Sequence, residues 1–214
     1  MTGIQAVLIG ILEGLTEFLP VSSTAHLVLG QYVLGIDITS DAAKVFEIAI
    51  QLGAVAAIPL YYRKQLFKKE TIRLLLYAFI PTAVLGLILK EFSFLLLESL
   101  FVIAWALILG GIILVAVEWY IKKHPHKKAQ PITPVIASVI GAAQGLALIP
   151  GVSRSGATIV AGLLMGIPRA QIAEFSFLLS VPTLGAATAL ALLKTDVAFL
   201  TPLFMPTLMI GMFS

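Results

Sequence analysis

The stretch Glu13-Gly14-Leu15-Thr16-Glu17-Phe18-Leu19-Pro20-Val21-Ser22-Ser23-Thr24-Ala25-His26 crowds two carboxylates, four hydroxyls and an imidazole around one proline. Glu13 and Glu17 are four apart and share one face of a helix. Pro20 cannot continue that helix, so the chain is expected to break there and restart, with Ser22 or Ser23 as the N-cap of a second half-helix. Ser23 and His26 are three apart and Ser22 and His26 four apart, which sets a hydroxyl and an imidazole on one face near the new N-terminus.

This polar stretch lies in a chain of 214 residues that is 59% hydrophobic and 12% charged, with a mean hydropathy of +1.04. Soluble domains carry about 25% charged residues, so a soluble globular fold is excluded. Apolar runs at 42–62, 72–89, 94–120, 172–193 and 197–214 read as five transmembrane helices. The last run is still apolar at Ser214 and reads as an interrupted span. Residues 1–36 and 133–167 are as apolar but are interrupted by Pro20 and by Pro150-Gly151, and each reads as two half-helices. Residues 1–12 carry no Lys or Arg, so the N-terminus reads as mature membrane protein and not as a signal peptide. The lack of cysteine excludes disulfides and thiolate chemistry.

Basic residues form two clusters: Arg63, Lys64, Lys68, Lys69 and Arg73, then Lys122, Lys123, Lys127 and Lys128 with His124 and His126 among them. Two spans separate the clusters, so both lie on one side, which the positive-inside rule makes cytoplasmic. Their place beside membrane spans argues against a nucleic-acid surface and no nucleic-acid partner is expected. Asp37, Asp41 and a turn at Lys90-Glu91 then fall outside. At an offset of 131, Ala6, Ile9, Gly10, Gly14, Leu15, Val21 and Ser22 pair with Ala137, Ile140, Gly141, Gly145, Leu146, Val152 and Ser153. Gly35, Ile36, Ala42 and Phe46 likewise pair with Gly166, Ile167, Ala173 and Phe177. Repeat and charge bias together make the first broken pair enter and leave on the outer side and the second on the cytoplasmic side. The expected fold is an all-α integral membrane protein of inverted-topology repeats, with two oppositely oriented re-entrant helical hairpins plus about five transmembrane helices. One membrane domain is expected over 1–214, with repeat one at about 1–93 and repeat two at about 132–214.

A carboxylate in hydrocarbon costs several kcal/mol unless paired or bound to a cation. Oxygens presented as Glu13 and Glu17 present them suit Mg²⁺ or Ca²⁺, with substrate phosphates completing the shell; a protonated pair, or a salt bridge to Arg154, is the alternative. The serines and His26 fit a nucleophile with its base, or a histidine nucleophile with a hydroxyl orienting substrate. The second break, Pro150-Gly151-Val152-Ser153-Arg154-Ser155-Gly156-Ala157-Thr158, joins small residues, hydroxyls, a helix N-terminus and one guanidinium, as a phosphate-binding loop requires. It is not a P-loop, since no Gly-Lys-Ser/Thr follows the glycines. Glu47 and Gln51 form a polar stripe that reads as support for the site or as interhelical glue. Gln144 stands at the repeat position of Glu13, so one asymmetric site is expected, with acids from one hairpin and arginine from the other.

These motifs resemble the bacitracin-resistance type of undecaprenyl-diphosphate phosphatase. The family's first motif, Glu-Gly-Leu-Thr-Glu-Phe-Leu-Pro-Val-Ser-Ser-Thr-Gly-His, stands at 13–26 with Ala25 in place of the glycine, and its second, Pro-Gly-x-Ser-Arg-Ser-Gly-x-Thr, matches 150–158 throughout. The similarity extends to Phe46-Glu47, Gln51-Leu52-Gly53 and Phe175-Ser176-Phe177-Leu178-Leu179. It implies a multi-pass protein of the cell membrane that hydrolyses a polyprenyl diphosphate and recycles the lipid carrier of cell-envelope glycans, with its site opening outward. It implies a divalent metal at Glu13 and Glu17, catalysis by Ser23, His26, Glu17 and Arg154, and substrate binding by Ser22, Gly151, Ser153, Arg154, Ser155 and Thr158. Ser23 with His26 as base is the first choice of nucleophile; His26 itself is the second.

Inverted repeats with broken helices also suit a transporter, so a flippase of polyprenyl phosphate is the competing class. A carrier has no evident need for a hydroxyl, an imidazole and two acids together, and that surplus favours an enzyme. The Gly110-Gly111 pair permits close helix packing, within the chain or between the copies of a homodimer.

Overall fold

A computed structural model describes residues 1–38, 40–96, 99–124, 129–194 and 205–214, and every regular element among them is helical. In chain order these are α1 (Gly3–Thr16), α2 (Ser23–Val33), α3 (Asp41–Leu66), α4 (Lys69–Leu96), α5 (Leu100–Lys123) and α6 (Pro134–Gln144). A 3₁₀ turn (Gly145–Leu148), α7 (Arg154–Leu164), α8 (Arg169–Lys194) and α9 (Met205–Met212) follow. Within α3, α4, α5 and α8 lie four segments long and apolar enough to cross a membrane.

Local chemistry sets the boundaries. Thr2, Ser22, Ser40, Ser99, Thr133 and Ser153 each cap the helix that follows with a side-chain oxygen on a backbone N–H. Thr2 and Gln5 close a full capping box. Arg63 and Lys64 end α3, and Lys122 and Lys123 end α5, where cations suit the negative end of the helix dipole.

The two interrupted regions are each a pair of short helices, as expected at Pro20 and Pro150-Gly151. Their details run parallel at the 131-residue offset: α1 and α6 begin at Gly3 and Pro134, and α2 and α7 span Ser23–Val33 and Arg154–Leu164. Both pairs end on a glycine at positive φ, 65° at Gly35 and 83° at Gly166. The closing bonds also correspond, Ile36 N–H to the Gln31 carbonyl and Ile167 N–H to the Gly162 carbonyl. Each pair folds back on itself. Gln5 Nε2 donates to the Leu34 carbonyl at 2.9 Å, and Gln130 N–H to the Gly166 carbonyl at 3.1 Å, so each start lies beside its end.

Packing repeats the parallel. Gly10 of α1 lies against the α9 backbone at Gly211, and Gly141 of α6 against the α4 backbone at Ala78, where a side chain at either would overlap the facing carbonyl. Such close approach is how helices attract one another when lipid offers no hydrophobic contrast. One core joins α4, α6, α7 and α8 around Ala78, Ile140, Ile172 and Leu179; a second gathers Ala6, Ile9, Leu27, Phe46 and Ile50.

Two expectations change. Lys90-Glu91 forms no turn, because α4 continues through it to Leu96; Lys and Glu are good helix formers, and hydropathy marks where a span leaves lipid, not where its helix stops. The 94–120 run is accordingly divided, with residues 94–96 ending α4 and Ser99 capping α5. Gly110 and Gly111 make no close packing among the described residues, since a Cβ at either meets open space. Of the expected last span, α9 is the described part, and residues 197–204 lie outside the described residues, as do Pro125, His126, Lys127 and Lys128 of the second basic cluster.

Candidate active site where the two breaks meet

After Pro20 the chain turns through Ser22 at φ 66° and ψ 92°, the one non-glycine positive φ among the described residues. Side chains avoid this region at a cost of about 1–3 kcal/mol, and such strain persists where the surroundings hold it. The turn sets Ser23 at the start of α2, back over the end of α1, where its hydroxyl donates to Glu17 Oε2 at 2.5 Å.

The second break brings Arg154 to the same carboxylate. Its Nη2 donates to Glu17 Oε1 at 3.1 Å and its Nη1 to the Ser176 carbonyl at 3.1 Å. Ser155 Oγ donates to the Leu19 carbonyl at 2.7 Å and ties the breaks to each other. Gly151, at φ 89°, turns the chain close under Ile103 of α5, where a Cβ would crowd the Ile103 carbonyl.

Glu17, Ser22, Ser23, Ser153 and Arg154 line one cavity of about 220 Å³, together with Thr24, Gln51, Thr82 and Gln144. The first turns of α2 and α7 both open on it, so two helix N-termini face one space. Ser153 Oγ accepts from Gly156 N–H at 3.0 Å, and the Arg154 Nε donor has no partner among the described residues. The guanidinium and the two N-termini set positive charge against this cavity.

Other expected residues stand beside this wall. His26 is half-buried, its Nδ1 2.8 Å from the Ser22 carbonyl, and no hydrogen bond joins it to Ser23 among the described residues. Thr158 is buried on Ser176, hydroxyl to hydroxyl at 2.7 Å. Glu13 is buried one turn before Glu17, and neither of its oxygens has a hydrogen-bond partner among the described residues. A buried carboxyl with no partner for its oxygens fits a proton or a bound cation. Both Glu17 oxygens are already engaged, so Glu13 carries most of the fit. No three acid or histidine side chains converge on one point among the described residues, so a metal here would draw further oxygens from substrate or water.

Ser176, Gln31 and Thr82 support the site without belonging to any expected set. Gln31 Nε2 donates to Glu47 Oε1 at 2.7 Å, while Gln51 turns to the cavity. Gln144 donates to Thr82 Oγ1 at 2.8 Å, and Thr82 donates to the Gly141 carbonyl at 2.7 Å. Their shared signal is a hydrogen-bonding side chain inside an apolar run, which in lipid needs a partner.

Four membrane-length helices and two folded-back broken pairs that meet at one polar cavity define a polytopic membrane protein. The chain belongs to the family described as bacitracin resistance protein BacA, which matches residues 6–214. It is similar to the undecaprenyl-diphosphatase of Wolinella succinogenes, 49% identical over 198 residues that cover 90% of this chain and 75% of the relative. The undecaprenyl-diphosphatase of Aquifex aeolicus is 46% identical, covering 93% and 78%, and that of Sphingopyxis alaskensis is 45% identical, covering 97% and 81%.

Proposed function

We infer that this protein hydrolyses undecaprenyl diphosphate to undecaprenyl monophosphate and inorganic phosphate, recycling the lipid carrier of cell-envelope glycan synthesis. The observation that carries the mechanism is Glu17, held at once by Ser23 and Arg154 in a cavity faced by two helix N-termini.

The diphosphate binds between Arg154, Ser153 and the N-termini of α2 and α7, whose positive charge matches the charge on the transferring phosphoryl group. Ser23 Oγ attacks the terminal phosphorus while Glu17 Oε2 takes its proton. The bond from that phosphorus to the bridging oxygen breaks, and the prenyl monophosphate leaves with the electron pair. Water then cleaves the phosphoserine, releasing inorganic phosphate and restoring the hydroxyl. His26 as nucleophile is the second version. A divalent metal, Mg²⁺ or Ca²⁺, would be held by Glu13 and Glu17 and would add positive charge beside the diphosphate.

The two folded-back pairs are re-entrant hairpins of opposite orientation within an inverted repeat, and the site opens to the outer side. The parallel caps and helix bounds at one offset support the repeat, and the basic ends of α3 and α5 support the orientation. The test is phosphate release from undecaprenyl diphosphate by purified protein, with and without EDTA, beside Glu17→Ala and Arg154→Ala. Metal-dependent release lost in both variants is expected; release that survives in both overturns the site.

A further inference from the structure

A second cavity, of about 260 Å³, lies on the other side of the second break between α5, α6 and α7. Val152 and Ser153 line both it and the polar cavity, so the two spaces adjoin along that segment. Its walls are otherwise nearly all apolar, with Pro20 of the first break at one end and Ser153 the one hydroxyl. Ile113, Leu146 and Leu164 at its edge are exposed on the helix surface, which in a membrane faces lipid.

We propose that this groove holds the first isoprene units of the substrate's prenyl chain, with Gly110 as the residue that keeps it open. The proposal rests on the hydrolase reading above. A prenyl diphosphate joins a strongly anionic head to a purely apolar chain through one C–O bond. The site must therefore pass from charged to apolar within that bond's reach, and Ser153 marks such a boundary. From there the chain runs along the groove past Gly110 and out to lipid between the edge residues. At Gly110 a Cβ would meet open space, so bulk there enters the groove without striking the protein. Gly111 is equally open, but it faces the opposite side of α5 with Ile112, Val115 and Trp119.

Two measurements test this. In the first, a prenyl diphosphate carrying a diazirine in its second isoprene unit is photolysed on the intact protein in detergent and labelled peptides are sequenced. Label on Ile113, Leu114, Val160 or Leu164 is expected; label confined to Leu148, Leu184 or Ala187, the apolar wall of the polar cavity, overturns the proposal. In the second, Gly110→Leu is expected to raise KM for undecaprenyl diphosphate at least tenfold with kcat held, while Gly111→Leu matches the unsubstituted protein. An unchanged KM in Gly110→Leu overturns the proposal. The labelling reads binding alone, so a protein that releases no phosphate but labels in the groove would sink the hydrolase reading and leave the groove standing.

Discussion

Arg154 and Glu17 form an ion pair at 3.1 Å across 137 positions of sequence, with side-chain exposures of 11% and 4%. The pair joins the N-terminus of α7 to the end of α1 and is the electrostatic link between the two broken pairs. Removing one partner strands a charge away from water, which costs about 3–5 kcal/mol in buried pairs. Arg154→Ala and Glu17→Ala should each lower the melting temperature in detergent as well as abolish phosphate release. The double variant should lose less than the sum, because the second substitution removes the stranded charge. Additive losses would mean that the two side chains do not act as a pair.

The nucleophile can be distinguished by two side chains that lie close in sequence and apart in bonding. Ser23 donates to Glu17, whereas His26 is turned to the carbonyl of Ser22 in its own helix. Ser23→Ala should cut phosphate release about a thousandfold, within the range of lost nucleophiles and bases. His26→Gln should cost under about tenfold, since an amide still reaches that carbonyl. Rapid quenching of a turnover with labelled terminal phosphate should place the label on Ser23, and label on His26 would transfer the role to the imidazole.

Glu13 should reveal the metal without any turnover. Its oxygens have no hydrogen bonds to lose, so Glu13→Gln should leave the melting temperature of EDTA-treated protein unchanged or higher. Mg²⁺ or Ca²⁺ should raise the melting temperature of the unsubstituted protein, as any ligand of the native state does. In the variant that rise should need at least tenfold more metal. An identical metal response in both proteins would place the ion elsewhere.

Helix packing makes a prediction about single methyl groups. A Cβ at Gly141 would overlap the Ala78 carbonyl oxygen, and Thr82 hydrogen-bonds the Gly141 carbonyl at the same crossing. Gly141→Ala must push α6 from α4, at a cost of about 1–3 kcal/mol or more. Gly14 has no atom within 4 Å of a Cβ, so Gly14→Ala should be neutral or stabilise by about 0.5–1 kcal/mol. Thermal unfolding of the two variants side by side reads the difference.

The broken helices were legible in the sequence because proline and serine state backbone rules locally: Pro20 stops a helix, and Ser22 and Ser153 start one. The meeting of the two breaks was legible only as a need, that of buried acids for a partner, and Arg154 was among the answers. Two things were hidden. Hydropathy cannot see a helix end inside an apolar run, so the α4–α5 boundary was misplaced until Ser99 marked it. Partners such as Ser176, Gln31 and Thr82 follow from which helices touch, and no local rule states that.

The orientation of the site can be read because the chain contains no cysteine, so each introduced thiol reports alone. The ends of α3 and α5, with Lys64 and Lys123, are separated by α4 and α5 and so share a side. On the proposed orientation, that side is cytoplasmic. Asp37 follows α2 and precedes α3, at the opposite end of α3 from Lys64, and Thr2 lies near it because Gln5 bonds Leu34. In intact cells a membrane-impermeant maleimide should label Asp37→Cys and Thr2→Cys, and should reach Lys64→Cys and Lys123→Cys only after permeabilisation. Labelling of Thr2→Cys and Asp37→Cys from opposite sides would show that α1 and α2 span the membrane together, and the re-entrant reading would fall. Labelling of both from the inside alone would keep the hairpin and reverse the site, leaving the enzyme to act on lipid in the inner leaflet.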